Sequence, residues 1–150
     1  MLINIDPILS PEILHTLRSM GHGDKLILSD SNFPAYSMNS RVHRLDGVDA
    51  ARAAKAILSI FPLDSFIESP IQRMEIDGKP DEINEVHQDL IDTVKKVSGD
   101  NWKVGSVERQ KFYIEAKKAM AVITTSDTRP YGCFMFTKGV LKPDGSVWII

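Results

Sequence analysis

Met20-Gly21-His22-Gly23-Asp24, running on into Lys25-Leu26-Ile27-Leu28-Ser29-Asp30, is the stretch whose reading decides how this chain is built. Upstream, Ser10-Pro11-Glu12 has the makings of a helix start. Ser10 can cap, Pro11 fits the first turn, and Glu12 sits near the positive end of the helix dipole. A helix is therefore predicted over 11–20, with Ile13, Leu14, Leu17 and Met20 on one face. Gly21 is suited to closing it in the left-handed conformation, and Gly23 lets the backbone turn directly into an apolar strand over 26–29. His22 is thereby held in an open corner, where a side chain with near-neutral pKa can exchange protons. Asp30 follows at the far end of the strand, where open α/β sheets bind ligands.

The same alternation continues downstream. An alanine-rich helix is predicted over 48–60, capped by Asp46 and stopped by Pro62. Extended structure over 66–76 is interrupted by Pro70, and Asp77-Gly78-Lys79-Pro80 forms a turn. Ile83, Val86, Leu90, Val94 and Val97 recur every three or four residues up to Gly99, the clearest amphipathic helix in the chain. Strand 104–107, helix 110–118, strands 120–125 and 133–137, a turn at Pro143-Asp144-Gly145 and a last strand over 146–150 follow. The expected fold is α/β: one domain over 1–150, with a Rossmann-like sheet and helices on its faces.

Composition narrows the function. A chain of 150 residues with 43% hydrophobic content suits a single core that buries about two-thirds of its unfolded surface. A net charge of −2 without a long lysine or arginine cluster gives no footprint for nucleic acid, and a small neutral or polar ligand fits better. Neither a secretory leader pattern nor a membrane-length apolar run is present, so the expected compartment is the cytoplasm. The single Cys133 cannot form an internal disulfide and reads as a packed strand residue. His15, His22, His43 and His87 are scattered and form no compact ligand pair, so no metal site is expected. His15 and His87 read as ordinary helix residues, and His43 as a loop residue. Gly21-His22-Gly23 lacks the lysine of a phosphate loop and the full dinucleotide glycine pattern.

Several blocks together resemble the L-fucose mutarotase branch of the sugar mutarotase family that also contains D-ribose pyranase. They are Leu9-Ser10-Pro11-Glu12, Met20-Gly21-His22-Gly23-Asp24, Asp30 with Phe33-Pro34-Ala35, Arg109-Gln110-Lys111-Phe112-Tyr113, Tyr131-Gly132, and Lys138-Gly139-Val140. They occur in family order and spacing up to Val140. Phe33-Pro34-Ala35 looks like the fucose branch.

The resemblance implies an isomerase that interconverts the α and β anomers of a free monosaccharide through its open chain, without redox cofactor or metal. By correspondence, His22 is the catalytic acid/base, while Asp30, Arg109, Tyr131, Gly132 and Cys133 contact the sugar. The chemistry fits those roles. Asp30 can accept from hydroxyls, Arg109 can donate in a fixed fork, and Tyr131 can do either. Read without the family, Arg109 would be a surface ion-pair partner of Glu108 or Glu115, and Tyr131 a half-buried edge aromatic. Where the family usually has Tyr-Gly-Asn, this chain has Cys133, whose thiol is a weak hydrogen-bonding group. A non-catalytic sugar-binding or transport-accessory protein is the alternative on the same scaffold.

The resemblance further implies a ring-like homo-oligomer, commonly a decamer, with sites near subunit boundaries. Geometry bears on this. From Asp24 to Asp30 an extended chain covers roughly 20 Å, too far for one monosaccharide. Either the segment bends or a neighbouring chain completes the site. Residues 141–150 run past the usual end of the resemblance, as an added edge strand or a subunit contact.

Overall fold

Ser10 accepts the Ile13 backbone N–H at 3.2 Å and opens α1 (Pro11–Ser19), whose Ile13 and Leu17 are buried. In the computed structural model, which describes residues 1–150, the chain continues as β1 (Lys25–Ser29), α2 (Ala35–Met38), β2 (Val42–Leu45), α3 (Ala50–Leu58), β3 (Ile71–Met74), α4 (Glu85–Ser98), β4 (Val104–Val107), α5 (Arg109–Lys118), β5 (Ala121–Thr125) and β6 (Phe134–Thr137). One six-stranded sheet results, in the order β2-β5-β1-β6-β3-β4. Side chains alternate across it. Leu26 and Leu28 of β1, with Phe134 and Phe136 of β6, pack under α1, α3 and α4, whereas Ile27 and Met135 pack with Phe112 and Ala116 of α5 on the other face.

The α/β class is as expected, but the sheet is mixed. β1 pairs with β5 in parallel, β5 with β2 and β3 with β4 likewise, while β6 runs antiparallel to both β1 and β3. The cause is the connection. Residues 126–133 join β5 to β6 without a crossover helix, so the chain turns back at the end it has reached. That loop consequently arches over the carboxyl end of β1, which lies between the two strands.

Several expectations need correcting. Gly21 does not close α1 in the left-handed region; Met20 is already extended, and Gly23 carries the positive φ of 86°. The tight turn is held instead by Asp24, whose Oδ2 accepts the Gly21 N–H at 2.8 Å. α3 is capped by Asp49, which accepts the Arg52 N–H at 2.8 Å, while Asp46 pairs with Arg44 on the surface. His43 is no loop residue. It lies on β2, with Nε2 2.7 Å from Thr16 Oγ1 of α1. The extended region over 66–76 reduces to β3 (Ile71–Met74), and Ile83 lies outside α4, whose cap is Asn84. Residues 146–150 add no strand to the sheet; they form a hook with a single bridge, Leu141 to Val147.

Lys138-Gly139 has a structural job. Lys138 Nζ donates to the carbonyls of Leu17 and Met20 at 2.7 and 2.6 Å, capping the end of α1 just before His22. At Gly139 the chain presses on its neighbour, and a Cβ there would stand 2.2 Å from the Leu63 carbonyl oxygen and 2.9 Å from Asp64 Cα. Gly139→Ala must therefore displace backbone next to Asp64. A loss of about 1–3 kcal/mol in urea unfolding is expected, the usual cost of overpacking; an unchanged midpoint would show that the segment yields freely.

Candidate active site

Asp30 ends β1 inside a clasp of its own chain. Its Oδ1 accepts the N–H groups of Asn32 and Phe33, each at 3.0 Å, and Oδ2 accepts the Gly132 N–H at 3.0 Å and faces Cys133 Sγ at 3.6 Å. Burial pushes the Asp30 carboxyl above its ordinary range, opposed by these donors. The carboxylate lies in the floor of a cleft of about 390 Å³ whose walls include Phe33, Met74, Arg109, Tyr113 and Tyr131. Asp30, Arg109, Tyr131 and Cys133, spread over the sequence, are thus neighbours here, with Gly132 bound to the Asp30 carboxylate.

Arg109 opens α5 with its guanidinium 5.7 Å from the centre of the Tyr113 ring. It makes no ion pair. Glu108 is occupied as the α5 cap, accepting the N–H groups of Gln110 and Lys111, and Glu115 is taken by Lys25 at 3.0 Å. A forked donor is therefore left facing the cleft. Cys133 is a buried free thiol, and burial raises its pKa well above the ordinary value, so it stays protonated and is a donor rather than a nucleophile.

Tyr131 adopts φ 60°, which costs a non-glycine residue energy and needs support. α4 supplies it. His87 Nε2 lies 2.9 Å from the Tyr131 carbonyl oxygen, and Asn84 Nδ2 donates to the Pro130 carbonyl at 2.8 Å. A carbonyl only accepts, so the His87 proton is on Nε2, and Nδ1 is free to accept the Asn84 N–H in the helix capping box. Burial first, and the nearby Arg73 guanidinium, lower the His87 pKa to about 4 against the pull of the Tyr131 carbonyl. Arg129 completes the grip, forking onto Asp127 at 3.0 and 2.9 Å and reaching Asp89 of α4 at 2.5 Å. His87 thus has a buried packing role, fastening the Tyr131 loop to α4.

His22 is elsewhere. It precedes β1, and β1 is straight, its Lys25 and Leu28 paired with Thr137 and Phe134 of β6. The segment does not bend, and His22 and Asp30 stand at opposite ends of the sheet. At its own end His22 has a partner that sequence reasoning missed. Nε2 lies 3.1 Å from Oδ1 of Asp64, whose side chain is only 4% exposed, while the imidazole is 46% exposed and tilts against Phe66 at 5.1 Å between ring centres. A carboxylate accepts, so in the neutral imidazole the proton belongs on Nε2 and the Nδ1 lone pair is left free. A buried acid that orients a half-exposed imidazole is the arrangement of an activated base. Asp64 is 42 residues away in sequence, with no local signal; it is brought in because Leu63 bridges to Lys138. No three His, Cys, Asp or Glu side chains cluster to hold a metal ion, and no helix is long and apolar enough to cross a membrane.

A mixed α/β sheet thus carries a polar cleft at the carboxyl end of β1 and a histidine–carboxylate pair at its other end. The chain belongs to the RbsD / FucU transport protein family, whose model matches residues 3–141. It is 41% identical over 140 residues to the L-fucose mutarotase of Actinobacillus pleuropneumoniae serotype 5b (strain L20), covering 93% of this chain and 97% of that one. Among solved structures, protein Atu2016 is 46% identical with a TM-score of 0.91, over 95% of this chain and 97% of the other. The fucose mutarotase of Streptococcus pneumoniae, solved with L-fucose, is 34% identical with a TM-score of 0.85, over 94% and 100%.

Proposed function

We propose that this protein is a mutarotase that interconverts the α and β anomers of a free pyranose, L-fucose first. The observation that carries this reading is the His22–Asp64 pair, with Nε2 tied down and Nδ1 open. Nδ1 takes the proton of the anomeric hydroxyl. The freed electron pair becomes the carbonyl of the open chain as the bond from the anomeric carbon to the ring oxygen breaks. The imidazolium then returns the proton to that oxygen, and Asp64 stabilises the charged intermediate. Closure on the opposite face reverses the steps. Hydrogens and electrons balance, so the imidazole ends each cycle as it began.

The sugar is read at the other end, by Arg109, Tyr131 and the Gly132-Cys133 segment around Asp30. The Asp30 lone pairs are all approached by donors of its own chain. A sugar hydroxyl gains access by replacing the weakest, the Cys133 thiol. Because the two ends of one chain are roughly 20 Å apart, the working unit pairs the His22 end of one copy with the Asp30 end of the next. We infer a homo-oligomer on this ground, with a decamer the form that the family resemblance implies, and a reducing cytoplasm would suit the free thiol.

Saturation-transfer NMR of anomer exchange with L-fucose, D-ribose and D-galactose tests the reading. Enhancement for one sugar identifies the substrate. Binding without enhancement for any of them would favour the second reading, a sugar-binding transport accessory, which the family's description as transport proteins keeps in play. Cys133→Asn tests the sugar-reading end. A full amide donor in place of the thiol is expected to tighten L-fucose binding about fivefold, the equivalent of about 1 kcal/mol for one hydrogen bond. Calorimetric titration measures it, and an unchanged Kd would mean that only the backbone of residue 133 meets the sugar.

A further inference from the structure

Residues 142–150 lie beyond the span matched by the family, yet they fold back onto the segment that holds His22. After the turn at Asp144-Gly145, the Lys142 N–H donates to the Ser146 carbonyl at 2.8 Å, and the Trp148 N–H donates to the Val140 carbonyl at 2.8 Å. The arm then fastens onto Ser65. Ser65 Oγ donates to the Trp148 carbonyl at 2.7 Å and accepts the Ile150 N–H at 3.2 Å. Ser65 stands between Asp64 and Phe66, the two residues that contact His22. Asp64 Oδ1 accepts both the Phe66 N–H, at 3.0 Å, and His22 Nε2, at 3.1 Å. The rings continue the chain of contacts. Trp148 lies 6.2 Å from Phe66, and Phe66 lies 5.1 Å from His22.

We propose that this C-terminal arm, acting through Trp148, is a positioning element for His22. The arm pins Ser65 from one side and backs the Phe66 ring from the other, fixing the carboxylate and the aromatic face that together set the imidazole plane. It belongs to neither hydrophobic core cluster, and Trp148 remains 44% exposed, so the arm holds the site rather than the fold. The inference rests on His22 being the acid/base. A misplacement of about 1 Å at a reacting group can cost about 100-fold in rate, and that is the scale on which a loosened imidazole is felt. The sugar-reading cleft, at the opposite end of β1, is untouched by the arm.

The test uses the full chain, Trp148→Ala, Trp148→Phe and a chain ending at Leu141, with His22→Ala in parallel. Trp148→Ala and the shortened chain are expected to lower kcat for anomer exchange by about 10–100-fold, with KM within about twofold. Trp148→Phe, which keeps a ring against Phe66, is expected to recover most of the rate. Thermal midpoint and subunit mass should remain those of the parent. Full activity in Trp148→Ala alongside a dead His22→Ala overturns the arm's role alone; an active His22→Ala overturns the acid/base reading beneath it. Loss of rate that tracks dissociation and returns at higher protein concentration would make the arm a subunit contact and also overturn the inference.

Discussion

His22→Ala is expected to slow protein-catalysed anomer exchange of L-fucose by roughly 10²–10⁴-fold, the usual worth of a positioned acid/base, while leaving sugar binding within a few-fold of the parent. The split follows from the layout. His22 and Asp64 occupy one end of β1, and Arg109, Tyr131 and Asp30 line the cleft at the other. Arg109→Ala should do the reverse, weakening binding through loss of a forked donor that no carboxylate of the chain engages. The two variants together test the shared site. Mixed in equal amounts after dissociation and reassembly, they should recover roughly one quarter of parental exchange, because one site in four then pairs an intact His22 end with an intact Arg109 end in a symmetric assembly. A site contained within one chain gives no recovery on mixing. Asp64→Asn should retain binding and lose part of the rate, since the amide no longer stabilises the imidazolium.

Acid should destabilise the fold well before its carboxylates titrate, and His87 is the reason. Its pKa falls from the ordinary 6.5 to about 4 on folding. Above pH 6.5 the residue is neutral in both states and carries no penalty. As pH falls from there to about 4, the unfolded chain takes up a proton that the folded chain refuses, and stability drops by about 1.4 kcal/mol per pH unit. The full loss is about 3 kcal/mol, a substantial part of the stability of an ordinary domain. Below about pH 4 the histidine protonates in place, and a proton on Nδ1 then faces the Asn84 N–H that it accepted before. The Tyr131 loop is the first casualty. Urea unfolding from pH 7.5 to 4 in the parent and in His87→Gln measures the effect. Glutamine can still donate to the Tyr131 carbonyl but does not titrate, so the pH slope should fall to the smaller one left by the other shifted groups, His43 among them, whose pKa burial also lowers; an equal slope in both would assign it to those groups.

Much of this was legible in the chain. Ser10-Pro11-Glu12 caps α1 and the apolar spacing ending at Gly99 makes α4, because each depends on neighbours within a few residues, and Val104–Val107 is a strand as written. The short α2 and β2 gave no periodic signal, and β2 is a strand only because β5 lies beside it. Two aspartates, Asp46 and Asp49, stand within one turn before α3, and only the backbone decides that Asp49 is the one that reaches the Arg52 N–H.

The sequence by itself determined the α/β class, the helix and strand positions set by local period and capping, and, through its ordered blocks, the family. It also offered His22, Asp30, Arg109, Tyr131, Gly132 and Cys133 as candidates, but not Asp64. Only the tertiary structure decided which of them meet. Asp64 reaches His22 across 42 residues, and His87 reaches Tyr131 across 44, through hydrogen bonds that no local pattern announces. The direction of β6 and the separation of His22 from Asp30 have the same origin, for they depend on how distant segments pair, and pairing is a property of the folded sheet rather than of any stretch of chain.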